Sequence, residues 1–199
     1  MVSTLPPRRR SNNRIEPLLD AAAERFAKLG YHKTTVRDVA AAVDMLPGSV
    51  YYHFPSKEQL LLAVYREGVE RISARVDAAL ERSSEDPWAR LEDALAAHLD
   101  TVLDQSDYAR VLIRVLPDQL PEIAAELTEL RSDYEARFTE LVDALKLPRQ
   151  VDRSLLRLLL LGAANWSEIW YAPGRATPAV IAKRFVTIIR QPMETTDDD

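Results

Sequence analysis

The sequence predicts an all-α chain of about nine helices, and three observations carry that prediction. Glycine is scarce, at five in 199 residues, while helix formers abound. Apolar residues recur at three- and four-residue spacing rather than alternating, so no strand signal emerges. Prolines and small polar residues fall at the breaks between the periodic stretches, where caps and first turns belong.

The elements follow in order. Residues 1–13, "MVSTLPPRRRSNN", have no periodicity and read as a disordered basic arm. From Arg14, Ile15, Leu18, Leu19, Ala22, Phe26 and Leu29 form one helical face, which Gly30 stops. Thr34 or Thr35 caps a short helix whose inner face is Val36, Val39 and Val43. "MLPGSVYYHF" turns sharply into a third helix with Pro47 in its first turn. Ser56 with Gln59 fits a capping box and opens a long helix through Leu60, Ala63, Val64, Ile72 and Val76. "SSEDPW" breaks it, and Asp86 with Pro87 starts the next, which runs to about Asp104. A short helix covers about Tyr108 to Val115, and another runs from about Pro121 to Leu145. A penultimate helix spans about 150–171. Thr177-Pro178 caps the last, which ends near Arg190. Residues 191–199 read as a disordered acidic tail.

Composition bounds the chemistry. With no cysteine there are no disulfides, thiolate metal sites or cysteine nucleophiles. No cofactor-binding pattern and no metal-ligand spacing occurs. His53 shares its face with no second ligand, and His32 and His98 stand alone as ordinary surface or core histidines. The longest apolar run, "LLRLLLLGAANW", is interrupted by Arg157 and too short to span a bilayer. The basic N-terminus lacks a following apolar stretch, so no secretory signal is expected and the protein reads as cytoplasmic. The net charge of −5 hides an asymmetry. Residues 1–66 hold ten Lys/Arg against six Asp/Glu, and the remainder sixteen against twenty-five. A basic front on an acidic body suits a polyanion that meets the front alone.

The three short N-terminal helices form a helix-turn-helix unit. Val50 and Phe54, four apart, point back to a core with Phe26, Val39 and Val43. Gly48, Ser49, Tyr51, Tyr52 and His53 are then left facing outward. Small residues let the helix N-terminus approach a DNA groove. The tyrosine hydroxyls and the imidazole can reach phosphate oxygens, and Ser49 and the ring edges can touch bases. Lys57 adds a positive charge beside the same backbone. The competing reading is a helical corner whose aromatics simply pack.

Over residues 14–66 the chain resembles the DNA-binding domain of the TetR family of transcriptional repressors. The resemblance rests on "FAKLGYHKTTVRDVA", "GSVYYHF" and "SKEQLL" at fixed offsets. It implies a homodimer on double-stranded palindromic DNA, built through the last two helices, and a C-terminal domain that binds a small effector. It also implies that Thr35, Val36 and Arg37 approach the DNA backbone. Pro47, Gly48 and Ser49 would face bases, Tyr51 and His53 would contact phosphates, Tyr52 would lie near the groove, and Lys57 would clamp the flank. The turn departs from the family: Val43-Asp44 replaces Ala-Gly, and Leu46 stands where a Ser or Thr cap is usual. Asp44 can still adopt a left-handed conformation there, at some cost. The expected division is a basic arm at 1–13, a DNA-binding domain at 14–60, a ligand-binding and dimerisation domain at 61–190 and a tail at 191–199. Arg8, Arg9 and Arg10 of the arm lie along the adjacent minor groove or act only as a solubilising tail.

In the body, "LLGAANWSEIWYAPG" has two readings. Gly162, Ala163 and Ala164 allow close helix approach at a dimer interface. Alternatively Asn165, Trp166 and Trp170 also line a ligand cavity, and this wording resembles the TetR members that sense acyl-CoA thioesters. Tyr108, Leu112, Leu116, Leu120 and Ile123 are candidates for an apolar pocket wall, with core packing as the alternative. Arg110 and Arg114 share a helix face, where they either receive an acyl-CoA phosphate or are simply solvated. Trp88 anchors the start of its helix. The leading expectation is a repressor released from its operator by a small hydrophobic ligand such as an acyl-CoA. A ligand-independent DNA-binding protein and a helical enzyme acting on an acyl thioester are the alternatives. The enzyme reading lacks a nucleophile elbow, a Ser/His/acid set or a phosphate loop.

Overall fold

The computed structural model describes residues 14–104 and 106–194. The arm with Arg8, Arg9 and Arg10, and residues 195–199 of the tail, lie outside the described residues. Among those described there are nine α-helices and no strand. Three short helices come first: α1 (Ile15–Leu29), α2 (Val36–Ala42) and α3 (Pro47–His53). The long α4 (Lys57–Arg82) leads into α5 (Pro87–Leu103) and α6 (Asp107–Arg114). The chain ends with α7 (Ala124–Asp143), α8 (Arg153–Trp170) and α9 (Pro178–Glu194).

Local chemistry explains most boundaries. Gly30 ends α1 at φ 81°, its N–H returning to the Phe26 carbonyl. Asp86 caps α5 by accepting from Ala89 N at 2.9 Å. Ser56 caps α4 by accepting from Gln59 N at 3.2 Å, the first half of the expected box. The reciprocal box forms instead at Thr35 and Asp38, each side chain bonded to the other residue's N–H.

Three boundaries differ from expectation. Pro117 and Pro121 first wind two short 3-10 turns, so α7 begins at Ala124. Asp152 accepts from Leu155 N and delays α8 to Arg153. The last helix continues past the expected end to Glu194, with Val186 and Ile189 packed into the second cluster just before that point.

Two apolar clusters fill the molecule. The first joins α1, α2 and α3 to the start of α4, and includes Phe26, Val39, Val50 and Leu60. Residues of α6 and the first turns of α7 complete it. The second joins the rest of α4 to α5, α7, α8 and α9, and includes Val76, Leu95, Phe138 and Leu160. Val69 and Leu112 touch both. At that seam Gly68 admits Leu112, whose Cγ would lie 3.1 Å from an added Cβ.

Candidate nucleic-acid interface and ligand cavity

The turn between α2 and α3 forms as its chemistry requires. Asp44 adopts φ 51°, the only positive φ of a non-glycine residue among those described. Met45 N donates back to Ala40 O at 2.9 Å, and Pro47 opens α3 behind an uncapped Leu46 that is 76% exposed. Val50 is wholly buried and Phe54 partly so, which consumes the inner face of this seven-residue helix. Gly48 and Ser49 are exposed; nothing lies within 4 Å of a Cβ added at Gly48. Tyr52 is 86% exposed and stands edge-on to the half-buried His53, and Tyr51 is half exposed. Pro47 is half-buried at the rim.

Two expected contacts of this face change role. Val36 is buried in the head core, because position 36 falls on the inner stripe with Val39; its backbone alone can approach DNA. Lys57 turns away from the surface and donates to the carbonyls of Tyr31 and Thr34 at 3.1 and 3.2 Å. Its ammonium sits 4.0 Å from the Tyr31 ring centroid. The Tyr31 hydroxyl in turn donates to Glu58, and burial together with that carboxylate pushes its pKa up. Lys57 thus ties the start of α4 to the loop between α1 and α2. Of the other helix-start candidates, Arg37 is exposed, whereas the exposed Thr35 has its hydroxyl committed to Asp38.

A cavity of about 120 Å³ lies in the body between α4, α5, α6, α7 and α8. Leu112, Leu116 and Asn165 line it, as expected. The other candidates do not. Tyr108 is buried facing α1, with its hydroxyl on Asp20 at 2.8 Å and Arg71 over its ring. Arg110 pairs with Asp107, and Arg114 reaches Glu168 at 2.7 Å and the Ala27 carbonyl at 3.4 Å. Leu120 and Ile123 are core residues of the first cluster. Trp166 and Trp170 face outward, because one residue of helix turns about 100° and Asn165 takes the inner position four after Leu161. A larger cleft, of about 780 Å³, is lined by α4 and α5 with Tyr171 and Pro178, and carries Arg75, Arg82, Asp93, Asp100 and Asp104, of which Arg75 pairs with Asp104 at 3.1 Å.

The polar end of the small cavity was missed by sequence reasoning. His98 is buried, with Nδ1 2.6 Å from the Tyr134 hydroxyl and Nε2 3.0 Å from Asn165 Oδ1. An Asn oxygen accepts, so Nε2 carries the proton and Nδ1 accepts from Tyr134. Burial pushes the His98 pKa down to about 4, against the opposing pull of Asn165, and pushes the Tyr134 pKa up. The trio is neutral. A sequence signal existed: Leu91, Leu95, His98 and Val102 follow three- and four-residue spacing on one face of α5. Arg131 and Glu135, both partly exposed, form the charged rim, and Arg157 bonds Glu135 from α8.

The outer face of α8 is a third surface. Leu155, Leu158, Leu159, Trp166, Ile169 and Trp170 lie 48–65% exposed along one stripe, with Gly162 open at its centre. Val180 and Ile188 of α9 are exposed as well, and Trp170 meets Phe185 across the two helices. No helix among the described residues is long and apolar enough to cross a membrane, and none of their His, Asp or Glu side chains form a group suited to a metal.

Residues 18–64 match the model of bacterial regulatory proteins, tetR family, and residues 84–193 match the tetracyclin repressor-like C-terminal domain. The chain is 28% identical over 190 residues to the HTH-type transcriptional repressor KstR2 of Rhodococcus jostii, covering 90% of each. Its fold resembles that of AibR in complex with isovaleryl coenzyme A and operator DNA, with TM-score 0.75 and 24% identity over 88% of this chain and 97% of the other. It also resembles ketosteroid transcriptional regulator KstR2 of Mycobacterium tuberculosis, with TM-score 0.69 and 22% identity over 92% and 96%.

Proposed function

Since the chain belongs to the TetR family of bacterial regulatory proteins, we propose that it is a dimeric repressor released from a palindromic operator by a small hydrophobic effector. The observation that carries this reading is the α3 surface. Its core duty is met by Val50 and Phe54, which leaves a solvent-facing run of hydroxyl and imidazole groups with an open glycine at its N-terminal end. Gly48 and Ser49 approach bases with Pro47, while Tyr51, His53 and Arg37 reach phosphates and Tyr52 lies along the groove. Val36 contributes its backbone N–H group at the start of α2, beside the exposed Thr35 whose own N–H is held by Asp38, and Lys57 acts by holding the head to α4.

The reader spans 14–60, the sensing and dimerising body 61–190, with 1–13 and 191–199 as flanking segments. Two copies meet through α8 and α9, whose apolar stripe stays largely exposed among the described residues. The protein acts in the cytoplasm, where its DNA lies, and catalyses no reaction. The effector enters the cavity beside His98. Its acyl-CoA-like class is supported by the cavity's apolar walls and has a parallel in the ligand named for AibR.

Coupling runs through α6. One face lines the cavity with Leu112 and Leu116; the other holds α1 through Tyr108 to Asp20 and Arg114 to the Ala27 carbonyl. A ligand that moves α6 therefore moves the reader, provided it binds the DNA-free arrangement more tightly. The test is selection of bound DNA from random sequence, followed by release with acyl-CoA and free-lipid panels. A palindrome whose complex dissociates with one ligand class is expected. Failure to enrich any sequence defeats the reading.

A further inference from the structure

We propose that the body cavity takes a short, uncharged acyl group of about four or five carbons and binds its carbonyl oxygen through the amide nitrogen of Asn165. This rests on the regulator reading above and specifies the ligand of the same site. Three features of the cavity carry it.

Size comes first. The volume of about 120 Å³ is on the order of that of a cavity that takes up one benzene-sized apolar molecule. A short acyl chain fits, whereas a long chain or a fused-ring skeleton exceeds it. The walls include the apolar Val69, Ile72, Val102, Leu112 and Leu161, all but Val102 placed by the two clusters.

Polarity comes second. The relay from Tyr134 through His98 ends on Asn165 Oδ1. That bond fixes the orientation of the Asn165 amide and leaves its NH2 group unused by the relay. A ligand oxygen can accept from it. A carboxylate would have to lose its hydration beside neutral partners, which a ketone, ester or thioester carbonyl does not.

The rim comes third. Arg131 and Glu135 are the charged residues of the lining, and both remain partly exposed, so they mark the mouth. With Arg157 on Glu135, the local balance is two cations to one anion. An anionic carrier attached to the acyl group would leave the cavity past this positive rim.

The experiment uses the purified full-length protein and calorimetric titration with a series of thioesters. Acetyl-, butyryl-, isovaleryl-, octanoyl- and palmitoyl-CoA vary chain length. Isovaleryl-pantetheine, free isovalerate and CoA alone separate acyl group, carbonyl and carrier. Butyryl- and isovaleryl-CoA should bind at least tenfold more tightly than the palmitoyl thioester or CoA alone, and free isovalerate weakly. Isovaleryl-pantetheine should retain binding at reduced affinity. Asn165→Asp, which replaces the donor by an acceptor, should weaken isovaleryl-CoA by at least tenfold. Val102→Leu, which narrows the cavity, should shift the optimum toward acetyl-CoA, and this variant decides the matter should the first fail to fold. Equal affinity for all chain lengths, binding explained by CoA alone, or indifference to both substitutions would overturn the proposal. A protein that selects an operator yet behaves so keeps its regulator role and loses only this ligand assignment.

Discussion

Two helices present surfaces that the fold itself does not use, and they differ in chemistry. The exposed face of α3 carries Gly48, Ser49, Tyr51, Tyr52 and His53, whereas that of α8 carries Leu155, Leu158, Leu159, Trp166 and Ile169. The first keeps its hydrogen-bonding groups in water, the chemistry that a hydrated polyanion matches. The second exposes apolar area that only another apolar surface relieves. The contrast separates a hydrogen-bonding face from an apolar one without reference to any relative. Between them lies the body interior, where a neutral polar trio is sealed among hydrocarbon walls.

The sharpest way to break the contrast is to charge the apolar side of it. Leu159→Glu should turn the dimer into a monomer by sedimentation. It should weaken operator binding on the order of 10² to 10⁴-fold, since paired half-sites no longer share one effective concentration. The same charge gained on the α3 face would leave the oligomer intact.

The interior gives the next largest effect. His98 has its pKa lowered to about 4, below the value of about 6.5 expected when unfolded. Between these values the unfolded chain takes up a proton that the folded chain refuses, so stability falls as pH drops from about 6.5 toward 4 and is unaffected above. The loss should reach about 3 kcal/mol in chemical denaturation. His98→Gln removes that part of the pH dependence, while carboxylates held low by partners, such as Asp77 on Arg137, titrate equally in both proteins.

On the DNA side, Tyr51→Ala or His53→Ala should weaken operator binding by about tenfold, with the melting temperature near that of the parent. An unchanged affinity would remove α3 as the reader. The smallest effect concerns its start. Leu46 precedes α3 without a capping side chain, so Leu46→Ser should raise stability by about 1 kcal/mol in thermal melts. The gain would show that the leucine at this position does not serve the fold.

How much of this was readable beforehand depended on distance along the chain. The nine helices were readable because caps, prolines and apolar period act within a few residues: Gly30, Thr35, Asp86 and Pro87 each stand where the spacing puts them. The α3 face was readable for the same reason, since a seven-residue helix with two inner positions leaves few arrangements. Lys57 was misjudged because its partners, the Tyr31 and Thr34 carbonyls, lie more than twenty residues away and nothing local announces them. Trp166 and Trp170 were attractive as pocket residues, yet a rotation of α8 about its axis decides inside from outside. That rotation depends on α5 and α7.

The sequence by itself determined the helices, their order, the outward chemistry of α3 and the acidic character of the body, because hydrogen bonding, capping and side-chain period are short-range. Only the tertiary structure decided which residues meet at the cavity. His98, Tyr134 and Asn165 come from three helices, and their neutrality follows from joint burial. That is a property of the packed arrangement and of no segment taken alone.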